Sequence, residues 1–204
     1  MAKGFRRRGS GRQARYAASL DGLERATVAG LMDQVRDLLA PQGTVRADET
    51  DEFGAIVAGL GMGVSIAAED QEADPGPSVA RDPALDRLLP TANREDAEAA
   101  SEFRRLTETG LRRRKAEALG AAAAILREDD RVRLDPDEGR TMLVALTDVR
   151  LVLGERMGLR TEEDMEALEA AATEDDDGPL AYALAVYDFL TWLQETLSTA
   201  MLEG

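Results

Sequence analysis

Along residues 12–20 the side chains alternate, with Ala14, Tyr16, Ala18 and Leu20 on one side and Gln13, Arg15, Ala17 and Ser19 on the other. A period of two marks a half-buried strand. Phe5-Arg6-Arg7-Arg8 precedes this run across Gly9-Ser10-Gly11, a turn-forming trio. Residues 1–20 are therefore predicted to form a β-hairpin arm. A hairpin alone is marginal in water, so this one is expected to rest its apolar face on the rest of the protein and leave its arginines in solvent.

Beyond Asp21 the period changes to that of a helix. Asp21 with Glu24 is a capping-box start, and Leu23, Val28, Leu31, Val35 and Leu38 recur at helical spacing until Pro41. Asp82-Pro83 opens a short helix ending at Pro90, with proline at the first helical position, where its missing N–H is harmless. Asn93 with Asp96 caps a long helix to about Glu128, with Phe103, Leu106, Leu119, Ala122, Ala123 and Leu126 on its apolar side. Asp135-Pro136-Asp137-Glu138 combines a cap, a proline and two acids at the positive end of the helix dipole. The helix it opens carries Met142, Leu146, Val149, Leu153 and Met157 and stops near Gly158. Thr161 with Asp164 caps another helix bearing Met165, Leu168 and Ala172. Gly178-Pro179 opens a terminal helix to about Met201; its Leu180–Leu193 stretch is apolar nearly all round, as expected of the most enclosed helix.

Residues 42–82 break this pattern with nine acids, Pro75, Pro77 and Gly59-Leu60-Gly61-Met62-Gly63 around an apolar middle, Phe53–Ala68. They read as a mobile acidic loop. No period of 20–50 residues repeats. The expected fold is mainly α: a multi-helix bundle over residues 21–204 with a small N-terminal β-hairpin arm over residues 1–20.

Charge sharpens that division. The arm holds six basic residues (Lys3, Arg6, Arg7, Arg8, Arg12 and Arg15) and no acid. The chain has 25 Lys and Arg against 40 Asp and Glu, which leaves the remainder at a formal charge of −21. A cationic arm and an anionic body cannot favour the same partners. The absence of cysteine excludes disulfides, thiolate metal sites and thiol switches. The absence of histidine excludes imidazole bases and the usual zinc and iron sites. No cofactor, metal site or catalytic residue is expected, and an enzyme would have to run on Asp, Glu, Ser, Thr or Tyr alone. No apolar run is long enough to span a membrane. Asp21 and Glu24 follow the basic start too closely for a signal peptide, so the chain is expected to be cytoplasmic.

Several motifs carry less than they suggest. Glu174-Asp175-Asp176-Asp177 lacks calcium-loop spacing and reads as a solvated loop. Gly59, Gly61 and Gly63 lack the Gly-Lys-Ser/Thr of a phosphate loop and read as linker. Residues 136–157 and 161–172 have helix-turn-helix connectivity, but Glu162, Glu163, Asp164, Glu166 and Glu169 would be repelled from a DNA groove. Contact with a DNA backbone is thus expected only through Arg6, Arg7, Arg8, Arg12 and Arg15. A second basic run, Arg112-Arg113-Arg114-Lys115, fans around its helix by about 100° per residue and is expected to pair with nearby acids while presenting a local positive face. Four of the chain's eight aromatics, Tyr182, Tyr187, Phe189 and Trp192, lie within eleven residues. They read as a packing centre, with a homodimer seam as the alternative.

Five segments, taken in order, resemble one actinobacterial family. They are Gly4-Phe5-Arg6-Arg7; Asp82-Pro83-Ala84-Leu85-Asp86-Arg87-Leu88-Leu89-Pro90; Glu102-Phe103-Arg104-Arg105-Leu106-Thr107-Glu108 with Leu111–Lys115; Asp148–Arg156; and Ala185–Glu195. Together they are similar to the actinomycete oxidative-stress regulator (AosR) family over most of the chain except residues 42–82. The resemblance implies a transcriptional regulator acting with a sigma factor and RNA polymerase during the oxidant response. Family accounts include a cysteine redox switch, which this chain cannot operate without a thiol. The resemblance supplies no catalytic residue. The expectation is a non-enzymatic regulator working by protein–protein contact; the alternative is a structural or adaptor protein, homodimeric through its C-terminal helix, with no role at promoters.

Overall fold

A computed structural model describes residues 2–40, 82–89 and 97–203. Strands β1 (Lys3–Arg8) and β2 (Arg15–Ser19) form the predicted antiparallel hairpin. Helix α1 (Gly22–Leu38), the short α2 (Pro83–Leu88) and the long α3 (Ala97–Glu128) follow. A third strand, β3 (Arg131–Leu134), was not foreseen; it pairs antiparallel with β2 and completes a sheet of order β1-β2-β3. Helices α4 (Pro136–Arg156), α5 (Glu162–Glu174) and α6 (Pro179–Leu202) end the chain. The fold is a helical bundle with a small sheet. The predicted loop at 42–82, apart from Asp82, lies outside the described residues, as do the Asn93–Asp96 cap and the side chains of Phe103 and Leu106.

The helix starts follow from their caps. Asp21 accepts from Glu24 N–H at 2.9 Å while Glu24 accepts from Asp21 N–H at 2.7 Å. Asp135 with Glu138 and Thr161 with Asp164 repeat this reciprocal arrangement at α4 and α5. Each satisfies donors that a helix start would otherwise leave unpaired. At the far end of α4, Gly158 takes φ +74°, which closes the helix in a conformation L side chains avoid.

The hairpin turn departs from expectation. Gly9 and Gly11 both take positive φ, and a 3-10 turn over Gly11–Gln13 holds Arg12, so β2 begins at Arg15 instead of Arg12. The period-two reading of β2 holds, since Ala14, Tyr16, Ala18 and Leu20 are all buried.

One aliphatic core runs through sheet and helices. It joins Phe5, Tyr16, Val132 and Leu134 of the sheet to Val28 and Met32 of α1, Leu119 and Leu126 of α3, Met142 and Leu146 of α4, and Leu190 and Leu193 of α6. Small residues set the closest approaches. A methyl group on Gly4 of β1 would lie 2.7 Å from Thr196 Cγ2 of α6, and one on Gly139 of α4 would lie 2.9 Å from the Tyr16 ring. Phe5 N–H donates to Thr196 Oγ1 at 3.2 Å beside the first of these contacts. The C-terminal aromatics are not the packing centre. Tyr182 is 40% exposed, and Tyr187, Phe189 and Trp192 are half-buried at the core's flank, with Phe189 and Trp192 stacked at 5.7 Å.

Replacing Gly4 with Val is expected to destabilise the protein by about 1–3 kcal/mol, because the branched side chain must push β1 off α6. Chemical denaturation measures this, and trimming Thr196 to Ala in the same chain should recover part of the loss.

Candidate functional site

Strand register decides where the basic residues point. Residues paired across neighbouring strands share a face. Lys3 stands opposite Ser19, which stands opposite Arg131; Arg6 stands opposite Ala17, which stands opposite Arg133; Arg8 stands opposite Arg15. The other face of the sheet, with Phe5, Tyr16, Ala18, Val132 and Leu134, is buried. Lys3, Arg6, Arg8, Arg15, Arg131 and Arg133 thus lie together on the outer face, all exposed, with no acid among them. An irregularity in pairing between Lys3 and Arg6 keeps both of them outward while turning Phe5 inward.

Among the described residues no ion pair within 4 Å reaches any of these six or Arg7. Arg7 stands opposite the buried Tyr16, is half-buried, and donates through Nε to Gly9 O at 3.3 Å. Arg15 donates to Ala14 O at 2.9 Å. Acids stand at the ends of the strands: Asp129 and Asp130 before β3, Asp135 and Asp137 after it, Asp21 after β2. Hydrogen bonds from the Glu138 and Asp137 N–H groups hold the Asp135 carboxyl below its ordinary range, and the Arg15 charge adds to this.

The second basic run does not join the sheet face. Its helix ends two residues before β3, so at about 1.5 Å per residue Arg112 sits about 24 Å up the axis. The run also splits as its fan predicts. Arg112 pairs with Glu108 at 2.8 Å and donates to Leu39 O, Arg113 reaches Glu117 at 3.9 Å, and Arg114 is exposed. Lys115 turns inward and donates to Asp148 Oδ1 at 2.6 Å. Asp148, 2% exposed, is the only buried charged residue among those described. Burial pushes its carboxyl above the ordinary range, against the pull of Lys115. Nearby on α4, Arg150 bonds Gln194 at 2.9 Å and stacks on the Tyr187 ring at 5.0 Å, which ties that aromatic to the helix interface.

Arg131 and Arg133 were missed at the sequence level. Arg131-Val132-Arg133-Leu134 does alternate, but four residues between two helices give a weak strand signal until β2 supplies the partner. The described residues hold no group of three or more acids placed to bind a metal ion.

The molecule defined by these observations is a helical protein that carries a cationic sheet face on an otherwise acid-rich chain. It belongs to a family described as a domain of unknown function (DUF2017), which matches residues 2–201. No curated protein and no solved structure matches the chain. Among the described residues no helix is long and apolar enough to cross a membrane.

Two outcomes test this geometry. Cations packed side by side on a sheet repel, so Arg8→Thr opposite Arg15 is expected to raise stability by about 0.2–1 kcal/mol, with the gain shrinking as salt is added. Denaturation at low and high ionic strength measures it. Lys115→Met should instead destabilise by about 3–5 kcal/mol near neutral pH, because it strands a buried carboxylate. The sign with pH follows from a carboxyl whose folded pKa is raised: stability is intact below its unfolded pKa and falls as pH rises through the folded one. The deficit of Lys115→Met is therefore expected to be smaller at pH 5 than at pH 8, as read by the same denaturation experiment.

Proposed function

We propose that this protein is a non-enzymatic transcriptional regulator that acts in the cytoplasm by protein–protein contact, with a sigma factor and RNA polymerase as its partners. The observation that carries the reading is the outer sheet face: six exposed cations in one plane, none of them paired with the protein's own carboxylates among the described residues. Unpaired like charges side by side do nothing for the fold. Their concentration makes sense as recognition of an anionic surface. The segments that resemble the oxidative-stress regulators support a sigma factor and RNA polymerase as the machinery contacted. They include Gly4-Phe5-Arg6-Arg7 of β1 itself.

Signal input in this reading does not pass through a thiol, since the chain has none. Regulation would instead lie in the availability of the partner or of the cationic face.

The experiment is capture from a cell extract of an actinobacterium on the immobilised full chain at low salt, with bound proteins identified by mass spectrometry. Recovery of RNA polymerase subunits or a sigma factor, lost on raising the salt, is the expected outcome. Recovery of neither overturns the reading.

A further inference from the structure

The outer face of the sheet has a shape and a rim as well as a charge, and together these select among anions. Building on the reading above that this face is a contact surface, we propose that its occupant is an extended, carboxylate-rich segment of a partner protein lying along the central strand.

The residues form a trough. Central β2 offers only Ser19 and Ala17 in its outward positions beyond Arg15, and both are half-buried beneath longer neighbours. Lys3, Arg6 and Arg8 stand on one side of them, with Arg131 and Arg133 on the other. With adjacent strands about 4.8 Å apart, the two cationic walls are about 10 Å apart at the backbone. That width admits one extended chain. The cation rows recur every second residue along β2, about 7 Å apart, and an extended peptide carries its side chains on one side at the same interval. Five of the six cations are arginines, whose guanidinium forks grip carboxylates through two parallel hydrogen bonds.

Other polyanions fit less well. Duplex DNA, whose major groove alone is about 12 Å wide, would overhang the trough and meet Asp129, Asp130, Asp135 and Asp137 at its ends. Single-stranded nucleic acid is held in grooves of this kind by aromatic side chains that stack on its bases. Among the described residues no aromatic stands on this face, because Phe5 and Tyr16 are both buried in the core. A carboxylate peptide needs neither the width nor the stacking platform.

The test uses the full chain and a fluorescein-labelled peptide of alternating Glu and Ser, with a DNA single strand and a duplex of matched charge as competitors. Binding is read by anisotropy at about 0.15 M salt. The peptide is expected to bind, and Arg6→Glu with Arg133→Glu should weaken it by about tenfold or more. Ala17→Glu, which raises a carboxylate from the trough floor without removing a cation, should weaken it as well. The far-helix control Arg113→Glu with Arg114→Glu should leave it unchanged. Melting curves confirm that each variant is folded, and either trough variant suffices if the other is not. Equal binding to a folded trough variant overturns the proposal, as does tighter binding of either DNA than of the peptide. Capture of polymerase or sigma factor undiminished by a trough variant overturns the trough and leaves the regulator reading standing. Peptide binding by a chain that captures neither removes the regulator reading and keeps the trough.

Discussion

A strand with one face in a hydrophobic core has no freedom over its other face. Every residue at odd register must point the opposite way from its neighbours. In this protein Phe5, Tyr16, Ala18, Val132 and Leu134 are committed inward by the helices they meet, so whatever stands between them is committed outward. That alternation gathers cations from two ends of a long detour in sequence, residues 3–15 and 131–133, onto one plane. Without the inner face there is no sheet, and without the sheet the arginines are a flexible tail with no geometry.

The arrangement is stable because burial outweighs repulsion. A fully buried Val, Leu or Phe side chain contributes about 1.5–3 kcal/mol, whereas a pair of like charges across strands costs about 0.2–1 kcal/mol. Phe5, Val132 and Leu134, together with the Tyr16 ring, therefore dominate the few cross-strand repulsions on the other side. The two glycine contacts, Gly4 on Thr196 and Gly139 on Tyr16, let the backbone come close enough for that burial to be realised. They act on different strands: one fixes the edge strand β1 against α6, the other fixes the central strand β2 against α4.

How much of this was legible in the sequence depended on the range of the interactions involved. Capping boxes are written within four residues, so Asp21–Glu24, Asp135–Glu138 and Thr161–Asp164 marked their helix starts in advance. The alternation of β2 was legible for the same reason. β3 was not, because a four-residue strand is defined by its partner, and that partner lies more than a hundred residues earlier. Arg131 and Arg133 were lost with it, although they provide one wall of the site. The C-terminal aromatics misled in the opposite direction. Their clustering suggested a centre, but at Ala183, Val186, Leu190, Leu193 and Leu197 the helix turns aliphatic residues to the core, which leaves the rings at the flank.

The segregation of charge also restricts the distance at which the cationic face can act. The rest of the chain carries a formal charge of −21, so an approaching polyanion meets net repulsion wherever the whole field is felt. At physiological salt the Debye length is about 8 Å, less than the about 24 Å separating the sheet end of α3 from its second basic run. Within that shorter range local charges dominate, and the six cations stand on the face with no acid between them. Attraction is thus confined to ligands already close to the face and slender enough to avoid its margins. For the trough proposed above, this means selection by contact and shape, which a bare arginine tail with no fixed geometry cannot exercise.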